Sequence, residues 1–392
     1  MFDLVNQGKE FIMLPFYVKE ILETLISAGF EAYAVGGAVR DLCLGKTPND
    51  YDLTTSAYPE AVMKLFKKAL PTGLKHGTVT VVTDSGNVEV TTFRSEFGYS
   101  DSRRPDSVKF GVSLQEDIKR RDFTVNALCM DINGNIIDLA GGKEDIEKKL
   151  IRTVGVPSER FGEDALRILR ALRFSAELGF SIEEETDKAL RRDYPLLENI
   201  SAERIREEFF KIICAPYAYN VLLKFEEVFK GIFPEIRLEE IYYLEKLPPM
   251  PEYRFSFLFG KDDYRSVLRR LKVKNETIGR VEAIKDCDPI CLSTAERLRL
   301  FAAENGRERT DSAVRFYSVF KPEYADIYEE TRDSFVTMED LDIGGDEIRA
   351  LGYDGPEIGA VKKRLLRYIA EAKVENKRDD LIRFIEKPRE SR

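Results

Sequence analysis

Two aspartates one residue apart, Asp50 and Asp52, lie shortly after a Gly36-Gly37 pair in this chain of 392 residues. Residues two apart in a strand point to the same side, so both carboxylates can face one cation. Carboxylate oxygens suit Mg2+, and carboxylate-held metal pairs support displacement at phosphate. Taken alone, such a pair is more typical of two surface acids. Because a glycine turn precedes it, this pair favours a metal site over two surface acids.

The segment from Gly36 to Asp41 reads GGAVRD, and a strand pattern changes into a helix pattern there. Glycines at such a turn let backbone N–H groups approach an anion at the start of a helix. Arg40 lies one turn along and could bind phosphate oxygens. A Gly-Gly pair alone is commonly only a turn. Glu89, in a later strand pattern, is either a third carboxylate or an outward-facing acid on an edge strand.

A second group of candidate residues is Arg120, Arg121 and Asp122, followed by FTVNA. Tandem arginines beside an aspartate can hold a triphosphate and contact a ribose hydroxyl. The same cluster, taken alone, is typical of surface ion pairs. It indicates nucleotide binding only together with the glycine turn and the aspartate pair.

A third group lies in a helical pattern, where Asp164 and Arg167 are three residues apart and therefore neighbours. An aspartate accepts from an exocyclic amine, and an arginine donates to a ring acceptor. Cytosine and adenine offer that pair of groups, whereas uracil and guanine do not. Arg170 and Arg173 extend the strip towards phosphates or an RNA end. The alternative is a solvated helix face with an ion pair between Glu163 and Arg167.

Composition excludes several other chemistries. His76 is the one histidine, so a histidine-rich metal hydrolase is ruled out, and we expect His76 to be structural. The five cysteines show no metal-binding spacing and are typical of reduced intracellular thiols. The sequence shows neither a secretory signal nor an apolar run long enough to cross a membrane. We therefore expect a cytoplasmic protein with no membrane partner. The net charge of -9 argues mildly against non-specific nucleic-acid binding but leaves local basic surfaces open.

Strand patterns cluster before residue 140 and then end, at residues 31–35, 51–54, 77–83, 87–93 and 128–139. Helical patterns interleave at 17–28, 39–44 and 59–69, and they continue alone after residue 140, including one over 161–178. The polar segment 93–111 is expected to be a mobile loop, and it holds three candidate contacts, Asp101, Arg103 and Arg104. The predicted fold class is α+β, a small head with a mixed or antiparallel sheet followed by helices.

Four sequence blocks occur in order: GGAVRD with the DYD that follows it, RRDFTVNA, DLAGGKEDI and EDALR. With them the chain closely resembles the bacterial class II CCA-adding enzymes, tRNA nucleotidyltransferases of the polymerase-beta-like superfamily. The resemblance covers residues 30–215, and residues 352–384 are similar to the end of these enzymes. It implies a head at 1–148, a helical neck at 149–215, a body at 216–305 and a tRNA-binding tail at 306–392.

The resemblance also implies site roles. Asp50 and Asp52 would bind Mg2+ and be the catalytic pair. The other implied nucleotide-contacting positions, which bind the phosphates, sense the ribose or read the base, are Gly36, Gly37, Arg40, Arg121, Asp122, Asp164, Arg167, Arg170 and Arg173. In the tail, Lys362-Lys363-Arg364 and Arg367 are candidate phosphate contacts, with a solvated helix face as the alternative.

The implied activity is addition of C, C and A to a tRNA 3′ end from CTP and ATP, with release of pyrophosphate. The partners are then the acceptor and T-arm half of tRNA, with no obligate protein partner. Two relatives remain as alternatives, an A-adding enzyme that completes tRNA ending in CC and a poly(A) polymerase. The Arg103-Arg104 segment favours CCA or A addition over CC addition. A small-molecule nucleotidyltransferase would lack the EDALR block and the long helical tail. A non-catalytic RNA-binding relative would have lost a metal carboxylate.

Overall fold

A computed structural model describes residues 14–98 and 107–386. Asp101, Arg103 and Arg104 lie outside the described residues, so their predicted contacts stay predictions. The chain divides into two compact units, Met1–Ile232 and Phe233–Arg392. The finer division into head, neck, body and tail stays a prediction.

A mixed sheet and two short strand pairs form the strand part of the first unit. The strands are β1 (Ala32–Val35), β2 (Asp52–Thr55), β3 (Ala69–Gly73), β4 (Thr78–Thr83), β5 (Gly86–Thr92), β6 (Arg94–Phe97), β7 (Ser107–Phe110), β8 (Cys129–Met130), β9 (Ile136–Ile137), β10 (Leu150–Ile151) and β11 (Ser181–Ile182). Among the described residues the main sheet has the order β3-β4-β5-β2-β1-β8-β9. β2 pairs parallel with β5 and antiparallel with β1. This confirms the predicted α+β head with a mixed sheet.

One face of the central strands β2 and β5 packs in the apolar core, and the other face exposes Asp52 and Glu89 to solvent. Leu53 on β2 and Val88 and Val90 on β5 are buried completely. Asp52 and Glu89 belong to the opposite face and are exposed. The alternation of side chains along a strand therefore places both carboxylates on the open face of a sheet with an apolar underside.

The helices of the first unit are α1 (Phe16–Ser27), α2 (Gly37–Cys43), α3 (Pro59–Leu65), α4 (Leu114–Lys119), α5 (Gly142–Glu147), α6 (Pro157–Glu163), α7 (Leu166–Leu178), α8 (Glu184–Asp193), α9 (Ala202–Cys214), α10 (Ala218–Lys224) and α11 (Glu226–Ile232). The helix predicted over 161–178 is wrong as one element, because it breaks between α6 and α7. Asp164 there is extended, with φ -145° and ψ 101°. Its Oδ1 accepts from the Leu166 backbone N–H at 3.1 Å, the bond of an aspartate that starts a helix.

Three other predictions about elements are corrected. The helix predicted over 59–69 ends at Leu65, and β3 follows as an edge strand, where Pro71 needs no backbone donor. The segment predicted as a loop contains β6 and β7, which pair in register. Strands also continue past residue 140, because β10 and β11 pair in parallel. A two-residue strand is too short to show a period of two in the sequence.

Within the described residues the second unit is helical, which confirms the prediction for this part of the chain. Its helices are α12 (Pro251–Leu258), α13 (Tyr264–Arg270), α14 (Asn275–Lys285), α15 (Ala295–Asn305), α16 (Arg307–Tyr317), α17 (Glu323–Thr331), α18 (Gly345–Ala350), α19 (Pro356–Ala370) and α20 (Arg378–Glu386). Ile348, Leu365 and Leu381 join α18, α19 and α20 in one apolar cluster. Across residues 14–98 and 107–386, every helix is too short or too polar to cross a bilayer.

Candidate active site

The acidic part of the site is built by the pairing of two strands. Asp52 opens β2 and lies directly opposite Glu89 of β5 in the parallel register. Both line a cleft of 240 Å³, together with the guanidinium groups of Arg94, Arg120 and Arg121. β5 is an interior strand between β4 and β2, so Glu89 is not an acid on an edge strand. The role of Glu89 as a third carboxylate stays a prediction.

Gly36 brings the turn after β1 to the same cleft. Its φ of 83° and ψ of -141° form a conformation that side chains rarely adopt. A Cβ built on Gly36 would lie 3.8 Å from Arg121 Nη1 and 4.0 Å from Asp52 Oδ2. The glycine turn, Asp52 and Arg121 therefore lie close together, and their predicted roles stay predictions.

The electrostatics of the cleft favour a cation beside Asp52. Desolvation by the surrounding cleft raises the pKa of the Asp52 carboxyl to about 6, and the charges of Glu89 and Asp50 act in the same direction, while Arg121 opposes them. Nearby carboxylates that repel one another are stabilised when a divalent cation neutralises them.

The donors present fit Mg2+. Among residues 14–98 and 107–386, no group of three or more His, Cys, Asp or Glu is arranged to hold a metal ion. Magnesium characteristically takes one or two carboxylates and completes its shell with water and substrate phosphates. Asp52, with the Asp50 carboxylate near enough to act on its pKa, offers oxygen donors of that kind.

The raised pKa has a consequence for stability. In the unfolded chain an aspartate titrates near about 3.9. The folded pKa of about 6 is higher, so stability falls as the pH rises from about 4 to about 6. We expect Asp52→Asn to raise the Tm at pH 7.5 in metal-free buffer, with the gain vanishing near pH 4. Thermal unfolding across this range checks it, with Asp84→Asn, an exposed acid, as the control. An unchanged or lower Tm for Asp52→Asn at pH 7.5 would contradict the electrostatic account.

A second group of predicted residues is joined by Asn126. Arg40 Nη1 donates to Asn126 Oδ1 at 2.6 Å, and Asn126 Nδ2 donates to Asp122 Oδ1 at 3.4 Å. Asp122 Oδ2 accepts from Arg170 Nε at 2.9 Å and from Nη2 at 2.5 Å. Burial disfavours the Asp122 carboxylate, but Arg170 outweighs it and lowers the pKa of Asp122. Residues from two of the sequence blocks and from α7 thus form one hydrogen-bonded chain.

Phe174 on α7 is the apolar centre of this group. The guanidinium carbons of Arg40 and Arg170 each lie 5.4 Å from the ring centroid, and that of Arg173 lies 4.0 Å away. Arg173 is also held by Glu208 Oε2 at 2.6 Å. Arg40 is paired with Asp41 and Arg170 with Asp122, so ion pairs and contacts with the ring together fix the three guanidinium groups around Phe174.

The predicted base-reading residues lie at the break between α6 and α7, Asp164 within the break and Arg167 in the first turn of α7. Asp164 is not in the helix, and both of its oxygens are held by Arg204 of α9, at 3.1 and 2.7 Å. Arg167 is buried and donates to Glu163 at 2.5 Å and to the backbone oxygens of Arg160 and Arg120 at 3.0 and 3.1 Å. The ion pair of Glu163 with Arg167, the alternative reading of this strip, is therefore present.

These contacts leave part of each side chain available. A carboxylate offers about four lone-pair sites, and the described bonds to Asp164 use three: two from Arg204 and one from the Leu166 backbone. Arg167 uses three of the five donors that a guanidinium has. The turn can therefore present one acceptor and two donors without breaking its supports.

Sequence reasoning missed several supporting residues. Asn126 stood inside the RRDFTVNA block, and its position there was a usable signal. Arg204 lies 40 residues beyond Asp164, Phe174 belongs to an ordinary apolar pattern, and Asp117 resembles any acid in a helix. Such contacts depend on which elements pack together, and one sequence does not reveal that.

Comparison with known proteins agrees with this geometry. The family model described as the poly A polymerase head domain matches residues 32–152, which contain the sheet and the acidic cleft. A second model, described as a probable RNA and SrmB binding site of polymerase A, matches residues 179–239. The fold and the cleft are therefore those of a nucleotidyltransferase.

Similarity over nearly the whole chain identifies one family among the nucleotidyltransferases. A CCA-adding enzyme of Bacillus cytotoxicus is 38% identical over 389 residues, which cover 93% of this chain and 96% of that enzyme. One of Lactobacillus helveticus is 46% identical over 265 residues, which cover 66% of this chain and 64% of that enzyme. The crystal structure of the Bacillus stearothermophilus CCA-adding enzyme in complex with CTP has a TM-score of 0.78 and 33% identity, with 94% of this chain and 95% of that one covered. The chain belongs to the family of CCA-adding enzymes, the tRNA nucleotidyltransferases.

Proposed function

We propose that this enzyme adds C, C and A to the 3′ end of tRNA, using CTP and ATP and releasing pyrophosphate. One observation carries the proposal: Asp52 and Glu89 lie opposite each other on paired strands, in a cleft that Arg121 also lines. Similarity over nearly the whole length to enzymes named for CCA addition supports the choice of substrates. A related enzyme that binds CTP supports the choice of nucleotide.

The acidic residues of the cleft prepare the reacting groups. Asp50 and Asp52, with Glu89 opposite, would hold Mg2+. When bound, this ion assists deprotonation of the tRNA 3′-hydroxyl and stabilises charge on the leaving pyrophosphate. The carboxylates of this chain fix where that charge is neutralised, on the open face of the sheet.

The basic residues of the site bind and orient the nucleotide. Arg121 lies beside Asp52, and there it would contact the triphosphate and the ribose. Arg40, Arg170 and Arg173 supply positive charge around Phe174 for phosphates or the RNA end. Asp164 and Arg167 offer an acceptor and donors that match cytosine and adenine. Selection by protein groups removes the need for a nucleic-acid template.

The second unit offers a surface for the tRNA backbone. Lys363, Arg364 and Arg367 of α19 line a cavity of 810 Å³ together with Tyr368. Arg364 Nε is buried there and has no hydrogen-bond partner in the described part of the chain. The basic lining of this cavity supports the predicted phosphate contacts of Lys363, Arg364 and Arg367 over a purely solvated helix face.

Two tRNA transcripts test the proposed function. One ends at the discriminator base and the other in CC, and each is incubated with Mg2+ and labelled CTP alone, ATP alone or both. We expect two C residues and then one A on the first transcript, and one A on the second. Addition to the second transcript only would make this an A-adding enzyme, and continued A addition would make it a poly(A) polymerase.

A further inference from the structure

Asp117 on α4 is a buried carboxylate for which the proposed reaction has so far needed no role. Its side chain has 0% exposure. It accepts from Arg120 Nε at 2.9 Å and from Arg121 Nη2 at 3.4 Å. It also accepts from Thr54 Oγ1 at 3.3 Å and from the Arg94 backbone N–H at 3.2 Å. One carboxylate thus joins β2, β6 and the segment directly after α4 around the cleft.

The partners of Asp117 connect the catalytic strand to the cationic side of the cleft. Thr54 is on β2, two residues after Asp52, so both side chains belong to the same face of that strand. Arg94 begins β6, directly beyond the strand that carries Glu89. Arg121 is on the opposite, cationic side. Asp117 therefore connects Arg121, through hydrogen bonds, to β2, the strand that carries Asp52.

Arg121 depends on this one support. Its only described side-chain hydrogen bond is the 3.4 Å contact with Asp117, and its Nε is buried without a hydrogen-bond partner among the described residues. The other donors on its two Nη atoms have no described partner and can meet a ligand in the cleft. A ligand-binding arginine with a single support can change its orientation if that support is removed.

We propose that Asp117 is a positioning residue that holds the Arg121 guanidinium in the orientation that binds the ribose and the triphosphate of the incoming nucleotide. This inference rests on the proposed function of the cleft. Burial opposes ionisation of Asp117, but Arg120 and Arg121 outweigh it and lower the pKa of its carboxyl. Asp117 is therefore a carboxylate at neutral pH, and an asparagine there would lose the attraction that orients Arg121.

The test is the preference for CTP over 2′-deoxy-CTP, measured as the ratio of their kcat/KM values on a transcript that ends at the discriminator base. We expect Asp117→Asn to lower this ratio about tenfold, because a misoriented Arg121 loses its contact with the ribose hydroxyl. A merely structural role would slow both nucleotides equally. Asp145→Asn is the matched control, since Asp145 is also buried in the first unit and bonded to an arginine and a threonine. It should leave the ratio unchanged.

A double-mutant cycle with Arg121→Gln gives a second readout. Without a guanidinium to orient, Asp117→Asn should lower the ratio no further. Additive losses, or an unchanged ratio in Asp117→Asn itself, would overturn the inference. If Asp117→Asn fails to fold, Thr54→Val removes one support of the same carboxylate and should shift the ratio in the same direction by about twofold, and no shift there would also overturn it. Wild-type protein that incorporates neither nucleotide would instead refute the proposed function.

Discussion

Asp52→Asn is expected to abolish incorporation of both CMP and AMP, with a loss on the order of 10³-fold or more. Loss of a single preorganised group that stabilises transition-state charge already costs about 10²- to 10³-fold. Asp52 faces Glu89 in the cleft, and together with Asp50 it would hold the ion that serves attacking and leaving oxygens alike. The measurement is single-turnover incorporation from saturating CTP or ATP in Mg2+.

Two controls separate this loss from damage to the fold. Asp84→Asn makes the same chemical change at an exposed acid and should retain wild-type rates. Filter binding of tRNA should change little in Asp52→Asn, because the proposed phosphate contacts of α19 belong to the second unit. Substantial turnover in Asp52→Asn would refute the metal assignment.

The second large effect concerns base selection. Changing Asp164 to Asn and Arg167 to Gln together should lower the preference for CTP over UTP about 10- to 100-fold, the range expected for one well-made pair of base contacts. Asparagine and glutamine each offer both a donor and an acceptor, so uracil no longer meets an obligatory mismatch. The same change should lower the preference for ATP over GTP. Competition between nucleotides, read by product sequencing, measures both preferences.

The control for this prediction makes the same two substitutions at a different Asp and Arg pair. Asp187 and Arg191 form a similar pair on α8, 2.6 Å apart, and Asp187→Asn with Arg191→Gln should leave both preferences unchanged. If the Asp164 and Arg167 double variant slows all four nucleotides equally and preserves discrimination, base reading by this turn is wrong.

The acidic cleft could be predicted from sequence because its parts are local. Gly36, Asp50 and Asp52 belong to one stretch of chain, and alternation along β2 places Asp52 on the open face. Asp50 precedes this strand, which begins at Asp52, so the prediction that a strand would carry both aspartates on one face is wrong. The pairing of Glu89 with Asp52 was not predictable to that degree. It depends on β5 lying beside β2 in parallel, and that is a property of the sheet.

The turn at Asp164 shows why periodicity was insufficient elsewhere. The apolar positions from 161 to 178 keep a helical period across the break, since α6 and α7 each bury a face. The local bond from the Leu166 N–H to Asp164 ends one helix and starts the next. The ion pair with Arg204 then fixes the aspartate, and no pattern in a single sequence joins residues 40 apart.

Pyrophosphate released per tRNA is the measurement that tests the central claim most directly. The wild-type enzyme would be given CTP, ATP and Mg2+ with a transcript that ends at the discriminator base, and in parallel with one that ends in CC. The proposed function predicts three pyrophosphates per molecule of the first transcript and one per molecule of the second, with none when EDTA removes the metal. A release that continues past three, or none at all from the first transcript, would contradict CCA addition by this chain.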